Sequence, residues 1–240
     1  MGGLRQLEWM CKLAHDCDGV RGGPVLSGKP EGAGMCGRFV DPNLRGTELE
    51  YSELKITPFP RRFNVAPTND VLIFAKEPLE AMIARWWLVP AWHKGELRDW
   101  KASTFNARIE DAKDKPAFRA VWRHGRCLIP VSGFYEWTGQ KGARQPHFIR
   151  SAGNEATLWF AGLALRWHDL LTCTIMTREA NAAMAGLHSR MPVILNSEER
   201  EAWLGGSDDL LIGAGVEIRH HPVRKFGSQD DGPELIEPIV

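Results

Sequence analysis

The sequence predicts an α+β fold: one domain built on a mainly antiparallel, curled sheet with a few short helices. Two observations carry that expectation. Short β-rich runs recur through residues 35–240. They do not alternate regularly with helical segments, as a doubly wound parallel sheet would require, and neither a G-x-G-x-x-G turn nor an internal repeat is present.

The strands are expected at 71–75 (VLIFA), 81–89 (AMIARWWLV), 127–137 (CLIPVSGFYEW), 146–150 (PHFIR), 157–165 (TLWFAGLAL), 171–177 (LTCTIMT) and 192–195 (PVIL), each rich in β-branched, aromatic or aliphatic residues. Three short helices are expected between them. Segment 116–124 has Pro116 in its first turn, Phe118, Val121 and Trp122 at i, i+3, i+4, and Gly125 beyond its end. A second runs from Thr177 as a cap through the Ala-rich stretch to Gly186. A third covers 198–204, with Ser197 as N-cap, Glu198 and Glu199 favouring the positive end of the helix, and Gly205 as the stop. Residues 1–34 stand apart. They hold eight of the 24 glycines, and 19–34 is rich in Gly and Pro, so they read as a flexible extension absent from the mature protein.

Composition narrows the function. Lys+Arg and Asp+Glu are 30 each and 43% of residues are apolar, as in an ordinary globular protein. This excludes a disordered chain, a collagen-like fibre and a histone-like polycation, although a local basic surface remains compatible with zero net charge. No apolar run approaches the ~18 residues of a membrane span, and no secretory leader pattern is present. Five scattered cysteines argue against a disulfide scaffold and for a reducing cytoplasm. Cys11, His15 and Cys17 lack a downstream ligand pair, so no metal site is expected. Nothing in the sequence calls for a cofactor, and no interface signature points away from a monomer.

Four residues invite chemistry, each beside a plainer structural role. Cys36 follows Met35. As an internal residue it would be a small buried hydrophobe. Exposed by removal of Met35, it becomes a 1,2-aminothiol, with an amine pKa of about 7.7–8 and a thiol pKa of about 8.5. Such a pair condenses with an aldehyde through nitrogen and then sulfur, closing a thiazolidine. Asn106, in TFNAR, is either a helix cap or a neutral amide that orients an amine, with Arg108 beside it for a phosphate. Glu136, in GFYEW, is either a solvated strand-end carboxylate or an acid in an apolar wall, sharing a face with Phe134 while Tyr135 and Trp137 point the other way. His188, in GLHSRMP, is either a dipole contact at a helix end or a proton carrier. Arginines and tryptophans also interleave through Arg38, Arg61, Arg62, Arg85, Trp86, Trp87, Trp92, Trp100 and Arg108. That pattern suits phosphate contacts and base-stacking platforms, though most tryptophans belong in a core.

Together these segments resemble the SRAP family, the SOS response-associated peptidases or abasic-site processing proteins. The matching pieces are MCGRF at 35–39, RFNVAP at 62–67, Trp86 to Pro90 with Trp92, NAR at 106–108, GFYEW at 133–137, HSRMP at 188–192 and HPV at 221–223, in family order. The resemblance implies an SRAP domain over 35–240. It also implies an abasic-site sensor that binds single-stranded DNA and captures the lesion as a covalent DNA–protein crosslink, with possible self-processing peptidase and lyase activity and largely stoichiometric action. It assigns Cys36 as the crosslinking nucleophile, Asn106 as the residue positioning its amine, Glu136 as the acid that opens the sugar hemiacetal and His188 as the proton shuttle. Arg38, Arg62 and Arg108 become phosphate contacts, and Asn64 and Trp86 join the DNA-binding set.

Two departures stand out. Relatives usually begin at the Met before the Cys, whereas 34 residues precede Met35 here, and Trp87 stands where many relatives carry Gly. Two other classes remain as alternatives. An N-terminal-nucleophile glutamine amidohydrolase also starts Met-Cys-Gly, but typically continues with Ile where this chain has Arg38. A non-enzymatic single-stranded DNA-binding module would show salt-dependent affinity indifferent to an abasic site.

Overall fold

The computed structural model describes residues 37–43, 60–75, 80–140, 142–153, 155–208 and 216–239. The extension 1–34 and Cys36 lie outside them. Eleven strands form two sheets among the described residues.

The larger sheet contains β2 (Asp70–Ala75), β3 (Glu80–Trp86), β4 (Asn106–Arg108), β5 (Arg126–Val131), β8 (Leu158–Trp167), β9 (Leu170–Glu179) and β10 (Arg190–Pro192). Its order β9-β3-β2-β5-β8 closes back on β9. The expected curl is therefore a five-stranded barrel, which leaves those strands no open edge. β9 makes the closure possible by its length. Its first half lies between β3 and β8, and its second half between β4 and β10. The β9 pairings with β3 and β4 are parallel and the others are antiparallel. Ile73, Ile129, Phe160, Cys173 and Ile175 fill one cluster with almost no exposure.

The smaller sheet has the order β1-β6-β7-β11, from β1 (Phe39–Val40), β6 (Gly133–Thr138), β7 (Gln145–Ser151) and β11 (Ile218–Pro222). The expected single strand 127–137 is thus two, one in each sheet. Ser132 makes the break: its hydroxyl donates to the Asp41 carbonyl (2.9 Å) and accepts from Arg61 Nη2 (2.9 Å). Gly133 follows because a Cβ there would lie 2.4 Å from the Ile149 carbonyl oxygen.

Two expected helices are corrected. Residues 116–124 form successive turns, although Phe118, Val121 and Trp122 are buried as their spacing suggests. Residues 177–179 extend β9, because Thr177 donates to the Ala107 carbonyl (3.2 Å) and pairs with Pro192. The Ala-rich stretch after them is a turn capped by Asn181, whose side chain accepts from Met184 N (3.2 Å). The third helix, α1, spans Ser197–Leu204 with Gly205 at its end. Its N-cap is Asn196 rather than Ser197: Asn196 Oδ1 accepts from Glu199 N while Glu199 Oε2 accepts from Asn196 N, both at 2.9 Å. Among the described residues no helix is long and apolar enough to cross a membrane.

Candidate active site

One buried cluster drawn from both sheets holds the candidate residues by their neighbours. Phe39, Phe105, Phe134 and Met184 belong to one buried cluster, and Leu187 packs against it. Arg38, Asn106 and His188 are each next in sequence to one of these anchors, and Glu136 lies two residues past Phe134 on the same face of β6. Trp86 bolts two of the anchors together. Its ring lies 5.0 Å from Phe39 and 6.0 Å from Phe105, and its indole N–H donates to the Phe105 carbonyl (2.8 Å). The expected role of Trp86 at DNA is corrected here: with 0% exposure it offers no ring face to a base, and it positions Arg38 and Asn106 instead. Trp87 leans on Phe105 (5.3 Å) and donates to the Ala102 carbonyl (3.0 Å), bracing the approach to Asn106.

Glu136 is 4% exposed, so the solvated strand-end alternative falls away. Phe134 and Phe39 occupy its face, while Tyr135 and Trp137 pack with Phe148 and Phe226 on the other. In the β1–β6 register Phe39 faces Phe134 and Val40 faces Gly133. Tyr135 N donates to the Arg38 carbonyl (3.0 Å), so the contact between the two segments continues one residue before β1.

His188 is half-buried. Its Nδ1 accepts from Arg190 N (3.0 Å), so the neutral ring carries its proton on Nε2, the nitrogen left for exchange. Arg190 is itself clamped by Glu110 through two bonds of 2.6 and 2.8 Å, and donates to the Thr177 carbonyl (2.9 Å). Burial raises the Glu110 carboxyl, but the Arg190 hydrogen bonds prevail and hold it below its ordinary value. Sequence reasoning did not single out Glu110 or Arg190 as supports. Arg190 sits inside the segment HSRMP that it did single out, whereas Glu110 lies two residues beyond NAR and outside any such segment.

The arginines divide. Arg38 Nη1 donates to Asn64 Oδ1 (2.6 Å), and Asn64 Nδ2 donates to the carbonyls of Gly227 (2.9 Å) and Asp230 (2.6 Å). Asn64 thereby ties Arg38 to the C-terminal loop. Arg62 is committed to Asp41 through Nε (2.7 Å) and Nη2 (3.2 Å), an arrangement that fixes β1 rather than leaving its charge for a phosphate. Burial pushes the Asp41 carboxyl up, with the Arg62 bonds opposing it. Arg108 is exposed. It lines a groove of about 470 Å³ with Asn106, Lys115, Trp92 and Trp100. Trp92 is 54% exposed and meets Trp100 edge-on at 5.4 Å, so this groove combines cations with an accessible aromatic face.

The described residues contain no group of three or more His, Cys, Asp or Glu able to hold a metal. Cys127 and Cys173 are fully buried, and burial pushes both thiols up from their ordinary value. Neither has the accessible thiolate a nucleophile needs.

The family model described as SOS response associated peptidase (SRAP) matches residues 35–221. Abasic site processing protein YoaM of Bacillus subtilis is 34% identical over 182 residues, covering 71% of this chain and 79% of YoaM. Abasic site processing protein YedK of Escherichia coli is 28% identical over 229 residues, covering 85% of this chain and 100% of YedK. Among solved structures, a Bordetella bronchiseptica protein superposes with a TM-score of 0.69 at 22% identity, over 79% of this chain and 100% of that one. A Bacteroides thetaiotaomicron protein gives 0.67 at 24% identity, over 81% and 90%. These two likenesses concern the fold alone.

Proposed function

The chain belongs to the SRAP family, and from that premise we propose that it captures abasic sites in single-stranded DNA as a covalent thiazolidine through Cys36, once that residue is N-terminal. The observation that carries the reading is the β1–β6 register. Continued two residues past the Phe39–Phe134 pair, it leads back toward Gly37, the covalent neighbour of Cys36, on the side of the buried Glu136 carboxyl. In this reading Glu136 serves as the acid for the aminothiol of Cys36.

The chemistry follows from the residue types. The abasic sugar rests mainly as a closed hemiacetal. Protonated Glu136 delivers its proton to the ring oxygen as the C–O bond breaks and the aldehyde forms. The Cys36 amine adds to the aldehyde carbon, and loss of water gives an imine. Asn106 orients the amine through its amide. His188 passes protons through Nε2 during dehydration, and the Cys36 S–H then adds across the C=N bond to close the ring. Arg38 and Arg108 hold the flanking phosphates, and bases stack along the Trp92 groove. An imine intermediate also permits β-elimination, and thus lyase activity. Retention of residues 1–34 would leave the Cys36 nitrogen in an amide and block the first bond. Release of that segment by the domain itself would account for a peptidase activity.

The test is a denaturing gel of protein beginning at Cys36, incubated with a single-stranded oligonucleotide carrying one abasic site. A heat-stable shifted band is expected, absent with Cys36→Ala and with the undamaged oligonucleotide. An equal band from Cys36→Ala would overturn the assignment.

A further inference from the structure

The groove beside Arg108 is shaped by a side chain that does not line it. Trp100, one of its walls, meets the exposed Trp92 edge-on at 5.4 Å. An indole N–H can only donate, and that of Trp100 donates to the Thr104 hydroxyl (2.9 Å). A carbonyl can only accept. The single hydroxyl proton of Thr104 therefore goes to the Leu88 carbonyl, the shorter of its two such contacts (2.5 Å, against 3.3 Å to the Ala102 carbonyl). Thr104 is 4% exposed. With one bond accepted and one given, its hydroxyl has a fixed orientation.

The anchor of that hydroxyl is rigid. Leu88 lies two residues past β3 and is fully buried, and its N–H reaches the Thr104 carbonyl (3.4 Å). The Trp86 N–H reaches the next carbonyl along, that of Phe105 (2.8 Å). Residues 104–105 are thus stitched to 86–88 at consecutive points, and the Trp100 ring hangs from the stitch. Two further contacts complete the platform. The His93 ring packs on Trp100 at 5.2 Å, and the Trp92 N–H donates to the Pro116 carbonyl (3.3 Å). An indole has one N–H, so the bond to Thr104 is what directs the Trp100 ring.

We propose that Thr104 is a positioning residue for nucleobase stacking: by accepting the Trp100 indole N–H it holds that ring against Trp92, so that the exposed Trp92 face is presented to an unpaired base. The inference rests on the reading of this groove as the path of single-stranded DNA. Valine has nearly the shape of threonine but can neither accept nor donate. It would leave the Trp100 N–H and the Leu88 carbonyl without this bond, whereas serine keeps the hydroxyl.

Fluorescence anisotropy with an undamaged single-stranded oligonucleotide reads the platform without any capture chemistry. In the full chain, Thr104→Val should bind about fivefold more weakly, and Thr104→Ser should recover most of the loss. Trp100→Phe keeps a ring but removes its N–H. It should reproduce the loss, and it carries the test if Thr104→Val does not fold. Trp92→Ala separates positioning from general loosening. Because Thr104 acts through the Trp92 face, adding Thr104→Val to Trp92→Ala should cost less than about twofold more. With an abasic oligonucleotide, the concentration giving half-maximal adduct formation should rise in Thr104→Val while the saturating rate holds. Full affinity in Thr104→Val or Trp100→Phe would overturn the role of Thr104. So would a fivefold loss that persists beside Trp92→Ala, a fall in the saturating rate, or no recovery with serine. No adduct from the wild type, with the affinity differences intact, would overturn the capture reading and leave the platform standing.

Discussion

The barrel and the smaller sheet divide the work of the fold. Barrel strands β5 and β8 are buried almost end to end with apolar residues, and their polar exceptions are locked. Arg126, for example, is held between the rings of Trp122 and Trp203 and paired with Asp208. The smaller sheet instead sets titratable groups along one face, from buried Glu136 through half-buried His147 to exposed His220. A closed sheet supplies rigidity. The four-stranded sheet beside it carries ionisable side chains among its apolar ones. The lesson is that the candidate residues hang on apolar anchors that both sheets supply, Phe39 and Phe134 from the smaller one and Phe105 beside the barrel.

Substitutions on the two sides should therefore fail differently. The largest effect should come from Trp86→Ala, which removes the bolt between Phe39 and Phe105. A stability loss of about 3–5 kcal/mol is expected, read by chemical denaturation, with capture lost as a consequence of unfolding. Glu136→Gln should do the reverse, slowing adduct formation at least ~100-fold while the denaturation midpoint moves little. A Glu136→Gln variant that unfolds like Trp86→Ala would erase the distinction between the two sheets.

Trp92→Ala sharpens the same contrast. Its ring is exposed, so stability should hold while oligonucleotide affinity falls by about 1–3 kcal/mol, read by fluorescence anisotropy. The smallest effect should come from Glu110→Gln. The folded state holds this carboxyl below its ordinary value, so its contribution is present above the unfolded carboxylate pKa and lost as pH falls through the folded one. With Glu110 47% exposed, solvent screening keeps the cost under about 1 kcal/mol at neutral pH. The gap between wild type and variant in urea melts should close as the solution is acidified below about pH 4.

The long apolar strands were legible in the sequence, and so was the division of Glu136 from Tyr135 and Trp137 across β6, because a period of two survives in GFYEW. The short or polar strands were not. Phe39–Val40 and Asn106–Arg108 are too brief to show a period, and Ile218–Pro222 reads IRHHP, with little apolar content. Spacing alone drew helices over 116–124 and 177–186. Tertiary pairing of β9 with β4 and β10 overrode the second. Trp86 and Trp92 illustrate the limit on the site: both are tryptophans near arginines, and only the packing of Phe39 and Phe105 separates the buried one from the exposed one.

Intact mass spectrometry of the protein purified from its native host, before and after mixing with an abasic single-stranded oligonucleotide, tests the central claim most directly. The account predicts a chain whose first residue is Cys36, converted to a species weighing protein plus oligonucleotide less one water. A chain that keeps residues 1–34 and still forms that adduct, or one that begins at Cys36 and forms none, would contradict it.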